Sequence, residues 1–469
     1  MIRENLLLLW VLLVPLVLGG LLLRACGLRI RDDRLGFFSW SWPTGCLVLG
    51  VSLLTYIVFG IEPWLWWTAP VFALIATGLL ASRRVREALP GELRVPRPRL
   101  HAGFVLFTFL LACFCLLHIT AGAARPIVEG DEGNIWSLKA KSLVLDYYLG
   151  DFALAQHWNL HPDYPLLNPL LQAWVHSQFG QIEHFAARFL VQGCVLSMLL
   201  ATAAALRARL SALRAGCLLL LLPFAPAFEQ ALLTASADGM LALGLVMIVD
   251  GFLRWRAEGR SAWLWLAAIG AAFAAWSKNE AALYLLAAAA AVVLQFVVCR
   301  SPSRGKWLHV AGCALLPAAV IALQVCWNRH FDLKSDLFGA NPTGKSMPEL
   351  LLTQFAERAP QLAMRALDTM LFSDAPHAIF LVLLAAPLLW PRMVFRRDIF
   401  AVWFGLLLSL LCLHMIWIGS FLPLQFHLDT SYLRVLFQMV PAALVWFAAL
   451  AQVVLSGSDP AALKTDATA

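Results

Sequence analysis

Long apolar stretches dominate the chain, and they are separated by short basic turns or by long connections of mixed character. Runs of about 17–25 apolar residues, long enough to cross a bilayer as a helix, recur at 5–24, 44–60, 63–81, 102–121, 186–206, 213–230, 237–253, 261–277, 281–299, 307–326, 376–391, 399–420 and 434–455. The expected fold is therefore an all-α polytopic membrane protein with thirteen crossings. The first run lacks a strongly basic leading region and a small-residue cleavage site, so it reads as a retained span.

Two connections, 122–185 and 327–375, are too long to be turns, and long connections in compact folds usually carry function. Each contains a helical apolar repeat: Ile135, Leu138, Leu145 and Leu149 in 134–149, and Leu351, Phe355, Leu362 and Leu367 in 347–371, interrupted at Pro360. These patterns predict helices lying flat at the membrane interface or, equally, packed onto the bundle.

Composition sharpens the picture. With 61% hydrophobic and 13% charged residues and a mean hydropathy of +0.76, the chain has too little polar cover for a water-soluble fold. Alternate connections hold 23 of the 35 basic residues but only 9 of the 28 acids. By the positive-inside rule those connections face the cytoplasm, with the amino terminus outside and the carboxyl terminus inside, as in a bacterial inner membrane. The net charge of +7 is thus a topology signal, not a footprint for nucleic acid.

The ten cysteines form no CxxC pair, which argues against a disulfide framework or a structural zinc. The tail 456–469 is small and polar, a cytoplasmic end. Of the tryptophans, Trp64, Trp66, Trp67, Trp276 and Trp327 at span ends suit an interfacial belt, whereas Trp136 and Trp158 could stack on a sugar face.

Candidate chemistry gathers on the outer side. The cluster Glu129-Gly130-Asp131-Glu132-Gly133-Asn134 follows the fourth span. Asp131 and Glu132 offer a carboxylate to take a hydroxyl proton and, if a divalent cation (Mg2+ or Mn2+) is needed, ligands to hold it. The plainer reading makes Asp131 an N-cap and Glu132 a first-turn acid. His161, Asp163 and Tyr164 lie in the Pro-rich stretch His161–Pro169, which favours a substrate loop over a metal site built with His157. Asp238 opens the seventh span, Lys278 occupies a tight turn, and Arg434 begins the last span after His427 and Asp429. Both cations oppose the positive-inside trend and need anionic partners: Glu280, Asp429 or another outer carboxylate, or the phosphate of a lipid carrier.

This order of motifs resembles the GT-C superfamily of integral-membrane glycosyltransferases, which includes protein O-mannosyltransferases and lipid A aminoarabinose transferases. Asp131-Glu132 looks like the family's outer acidic motif, and His161–Pro169 is similar to its Pro-rich segment. Asp238, Lys278 and His427–Arg434 resemble its later acid, lysine and arginine positions. The likeness covers about 102–455 as a catalytic module, with three extra helices in 1–101. It implies an inverting transfer from a polyprenyl-phosphate sugar to a glycan, lipid or protein hydroxyl. Asp131 would be general base, Glu132 its support, Lys278 and Arg434 neutralisers of the leaving phosphate, and Asp238 and His427 pocket residues. A lipid-linked glycan transporter or flippase, or a glycan polymerase or ligase, is the alternative; the transporter class is disfavoured by charge-poor midspans and the lack of an internal repeat.

Overall fold

A computed structural model describes residues 2–92, 101–127, 130–145, 161–298, 304–334, 344–373 and 375–455. Glu129, His157, Trp158 and the tail 456–469 lie outside them. Among the described residues every regular element is helical.

Among the described residues eight helices are long and apolar enough to cross a membrane, or up to ten if each of two bent pairs is one span, against the thirteen expected. The shortfall has physical causes. Leu65–Ala81 and Ser261–Ser277 have 17 residues each, at the lower limit for a crossing. The stretch at 213–230 is broken into Ala212–Phe224 and Pro226–Leu233, which meet at 72°. Pro226 at the start of the second piece cannot continue the hydrogen-bond ladder. Asp238–Glu258 carries Asp238, Asp250, Arg254 and Arg256 and is too polar for the criterion.

Helices His184–Arg207 and Asp238–Glu258 form the centre of the bundle, buried along most of their length. Asp238–Glu258 packs on Ser261–Ser277 and Val440–Leu455, while Arg34–Val58 packs on His184–Arg207 and Leu167–Phe179. The span Leu308–His330 is peripheral, only 17% buried, and presents Leu308, Leu315 and Leu323 outward. Trp276 and Trp327 are buried in the core, so only Trp66 and Trp67 of the expected belt face outward.

The helix Met347–Asp368 is not interrupted at Pro360. Of the expected repeat, Phe355 and Leu367 are exposed and Leu351 is half-buried, whereas Leu362 is buried. The other expected amphipathic helix behaves differently. Glu132–Ser137 is a π-helical turn leading into Leu138–Leu145, and Ile135, Trp136 and Lys139 are fully buried. That segment packs onto the helix Leu167–Phe179 and belongs to the bundle.

At one end of Asp238–Glu258 a lattice of ion pairs ties distant segments together. Asp250 accepts from Arg209 at 2.7 Å and Arg254 at 3.0 Å, Arg254 reaches Asp33 at 2.6 Å, and Arg260 reaches Asp32 at 2.8 Å. Asp238 sits twelve residues earlier, about 18 Å away along the axis at 1.5 Å per residue. The helix therefore carries one ionic cluster at each end.

The first two helices approach closely where neither has a side chain. A Cβ on Gly45 would lie 1.7 Å from the carbonyl oxygen of Pro15, and one on Gly19 would lie 1.8 Å from that of Ser41. Both clashes are with backbone and cannot be relieved by a rotamer. Gly45→Ala is expected to push the pair apart and cost roughly 1–3 kcal/mol, measured as a fall in the detergent-solubilised unfolding temperature.

Candidate functional site

The site forms at the Asp238 end, from four segments widely separated in the chain. Asp238 is 2% exposed. Its carboxylate accepts Lys278 Nζ at 2.8 Å and the amide of Gln438 at 2.5 Å, with Arg434 Nε 3.6 Å away. Arg434 also donates to Asp131, and Lys278 reaches Glu280 at 3.0 Å. Asp131, Arg434, Asp238, Lys278 and Glu280 thus make one continuous chain of alternating charge.

Local geometry explains why these residues meet. Asp238 opens its helix, where an acid is favoured by the dipole. Lys278 ends the helix Ser261–Ser277 in extended conformation, and Glu280 starts the next. Arg434 and Gln438 lie four residues apart and so project from one side of the last span. Burial disfavours the ammonium of Lys278, but Asp238 and Glu280 outweigh it and hold its pKa above the ordinary lysine value.

The two neighbouring acids of the outer motif part company. Asp131 does not cap a helix through its side chain, as the N-cap reading expected; it turns to Arg434. Glu132 is fully buried and takes both its partners elsewhere, Arg188 through two nitrogens and the backbone N–H of Ala235 at 3.1 Å. Arg188 goes on to donate to the carbonyls of Gly122, at 2.9 Å, and Arg125. Glu132 is therefore the lock that fixes the loop after Ala102–Ala123 onto the bundle, and it does not stand beside Asp131 as a second ligand. Among the described residues no group of three or more His, Cys, Asp or Glu side chains is arranged to hold a metal ion.

His161, Asp163 and Tyr164 lie next to the ionic chain. Asp163 accepts Asn279 Nδ2 at 2.7 Å, which joins this loop to the Lys278 turn. The rings of His161 and Tyr164 stack at 4.6 Å, and Trp136 lies 5.5 Å from Tyr164 on its own account. Burial pushes the phenol of Tyr164 well above its usual pKa, with Glu280 and Asp163 adding to the effect.

His427 is placed apart. It shares a 2.8 Å hydrogen bond with Ser420, whose carbonyl accepts Arg358 at 2.7 Å. No direct bond links it to the Asp238 chain among the described residues. Burial, with Arg358 nearby, lowers its pKa to about 4. Asp429 pairs with Gln425 at 2.7 Å and is not a partner of Arg434 among the described residues. A cavity of about 180 Å³ lies at the opposite end of the helix, beside Arg209, Arg254 and Asp398, away from all these residues.

Arg188, Gln438 and Asn279 were not singled out from the sequence. Arg188 and Gln438 had a legible signal, since each is a polar residue inside an otherwise apolar span. Asn279 had none. No family model matches this chain, and neither a curated protein nor a solved structure is significantly similar to it.

Two outcomes follow. Arg188→Met leaves Glu132 buried without its counter-charge and is expected to cost roughly 3–5 kcal/mol, seen as a lower unfolding temperature; adding Glu132→Gln should recover part of that loss. For His427, the unfolded imidazole titrates near 6.5 and the folded one near 4, so between those values the unfolded state binds the extra proton. Stability is expected to fall as pH drops from 6.5 to 4, and His427→Gln should flatten that slope in thermal unfolding curves.

Proposed function

We propose that the chain is a glycosyltransferase of the bacterial inner membrane that moves a sugar from a polyprenyl-phosphate donor to an acceptor hydroxyl on the periplasmic face, with inversion. The observation that carries this reading is the single chain of charge through Asp131, Arg434, Asp238, Lys278 and Glu280. Structural ion pairs alone would account for each contact. The combination of a half-exposed carboxylate with two cations set against the positive-inside trend favours a site for an anionic substrate.

In this reading the acceptor oxygen attacks the anomeric carbon while Asp131 takes its proton, and the bond from that carbon to the phosphate oxygen breaks. The departing phosphate keeps the electron pair, and Arg434 and Lys278 neutralise it. Arg434 is bonded to Asp131 before substrate arrives, so a donor phosphate that captures the guanidinium would release Asp131 to act as base. Substrate binding and base activation are thereby coupled. Asp238, nearly free of solvent, holds both cations in place; Glu132 supports the outer loop through Arg188. The periplasmic orientation rests on the basic connections, and the apolar helix faces around the site suit a prenyl tail.

The test is to incubate the purified protein with a panel of radiolabelled polyprenyl-phosphate sugars and follow transferred label. Asp131→Asn is expected to lower transfer about 10²–10⁴-fold while leaving the unfolding temperature close to that of the wild type. Transfer by the variant at the wild-type rate would remove Asp131 as base.

A further inference from the structure

The turn His161–Tyr164 is held in an unusual way. Lys139 is completely buried, yet its ammonium donates to the carbonyls of His161 at 2.9 Å, Pro162 at 3.2 Å and Tyr164 at 3.3 Å. The remaining carbonyl, of Asp163, accepts the amides of Gln324 at 3.2 Å and Asn328 at 3.1 Å. All four carbonyls of the turn are thus captured by side chains of two other helices. Burying a lysine costs several kcal/mol unless its donors are used, and here three carbonyls of one turn use them.

The turn itself is strained. His161 has φ +56°, a left-handed conformation that a non-glycine residue adopts at a cost. That conformation lets its ring stack on Tyr164 at 4.6 Å and an interplanar angle of 16°. Trp136 lies 5.5 Å away and tilted by 31°, so the phenol has two aromatic neighbours. The neighbouring Asp163 accepts Asn279 Nδ2 at 2.7 Å, which joins this turn to the one that carries Lys278 and Glu280.

We propose that Lys139 is a positioning residue that holds Tyr164 so that its hydroxyl donates a hydrogen bond to the anionic phosphate bound by Arg434 and Lys278. The inference rests on the lipid-phosphate reading of that site and deepens it by adding a neutral, preset donor to two cations. A phenol is protonated, hence a donor, across the physiological range. A preset donor costs no reordering when the anion arrives.

The chain has only six tyrosines, so labelling with 3-fluorotyrosine gives a fluorine spectrum that Tyr164→Phe assigns. Addition of a polyprenyl monophosphate should move the Tyr164 resonance; inorganic phosphate should move it too, at higher concentration, if the phosphate alone is read. In Lys139→Met the same resonance should shift or broaden while the other five stay in place, and affinity for the polyprenyl phosphate should fall about tenfold. In a double-mutant cycle, Lys139→Met added to Tyr164→Phe should weaken binding no further. Additive losses, or a Tyr164 resonance unmoved by Lys139→Met, would overturn the positioning role. If Lys139→Met does not fold, Tyr164→Phe decides alone: binding as tight as wild type would overturn the proposal. A wild-type protein that binds no polyprenyl phosphate would sink the functional reading and the donor role with it, whereas binding that ignores Tyr164 sinks only this inference.

Discussion

The carboxylate of Asp238 is the constraint on which its end of the molecule depends. It lies at a helix N-terminus in the middle of the bundle, almost without solvent, and an isolated carboxylate there would be prohibitively costly. It is made tolerable by Lys278, Gln438 and Arg434, which come from a tight turn and from the last span. Satisfying one buried charge therefore brings three parts of the chain together. Arg434 then has a remaining face for Asp131, and Lys278 one for Glu280.

A second buried pair, Glu132 with Arg188, does comparable work for the loop that carries Asp131. Its hydrogen bonds reach Gly122, Arg125 and Ala235, so the end of one span, the segment of Asp131 and Glu132 and the turn before Asp238 are fixed relative to one another. Adjacent residues Asp131 and Glu132 thus have opposite tasks. One is half-exposed at the ionic chain; the other is inaccessible and structural. A charge within a bundle of membrane-spanning helices is expensive, and here each of the two acids has an arginine partner.

The same division runs along the helix Asp238–Glu258. Its far end is stapled by Asp250, Arg254, Arg209 and Asp33, whose bonds link the first turn of the chain to the core. Between the two ionic ends the helix is apolar and buried, as a low-dielectric interior requires.

The hydrophobic pattern by itself determined that the chain is an all-helical, multi-pass membrane protein, because the bilayer demands long apolar helices and the code for that demand is local. It also marked Asp131, Asp238, Lys278 and Arg434, since a charge at the end of an apolar run stands out without any knowledge of partners. The number of crossings was less legible: 17-residue helices, a proline break at Pro226 and the polar run from Asp238 to Glu258 depend on what surrounds them. Only the tertiary structure decided that Glu132 pairs with Arg188, that His427 turns to Ser420, and that Lys139 pins the His161–Tyr164 turn. Each of those is a contact between residues 7 to 56 positions apart, set by how helices pack and by the need to satisfy every buried polar group, which no local pattern encodes.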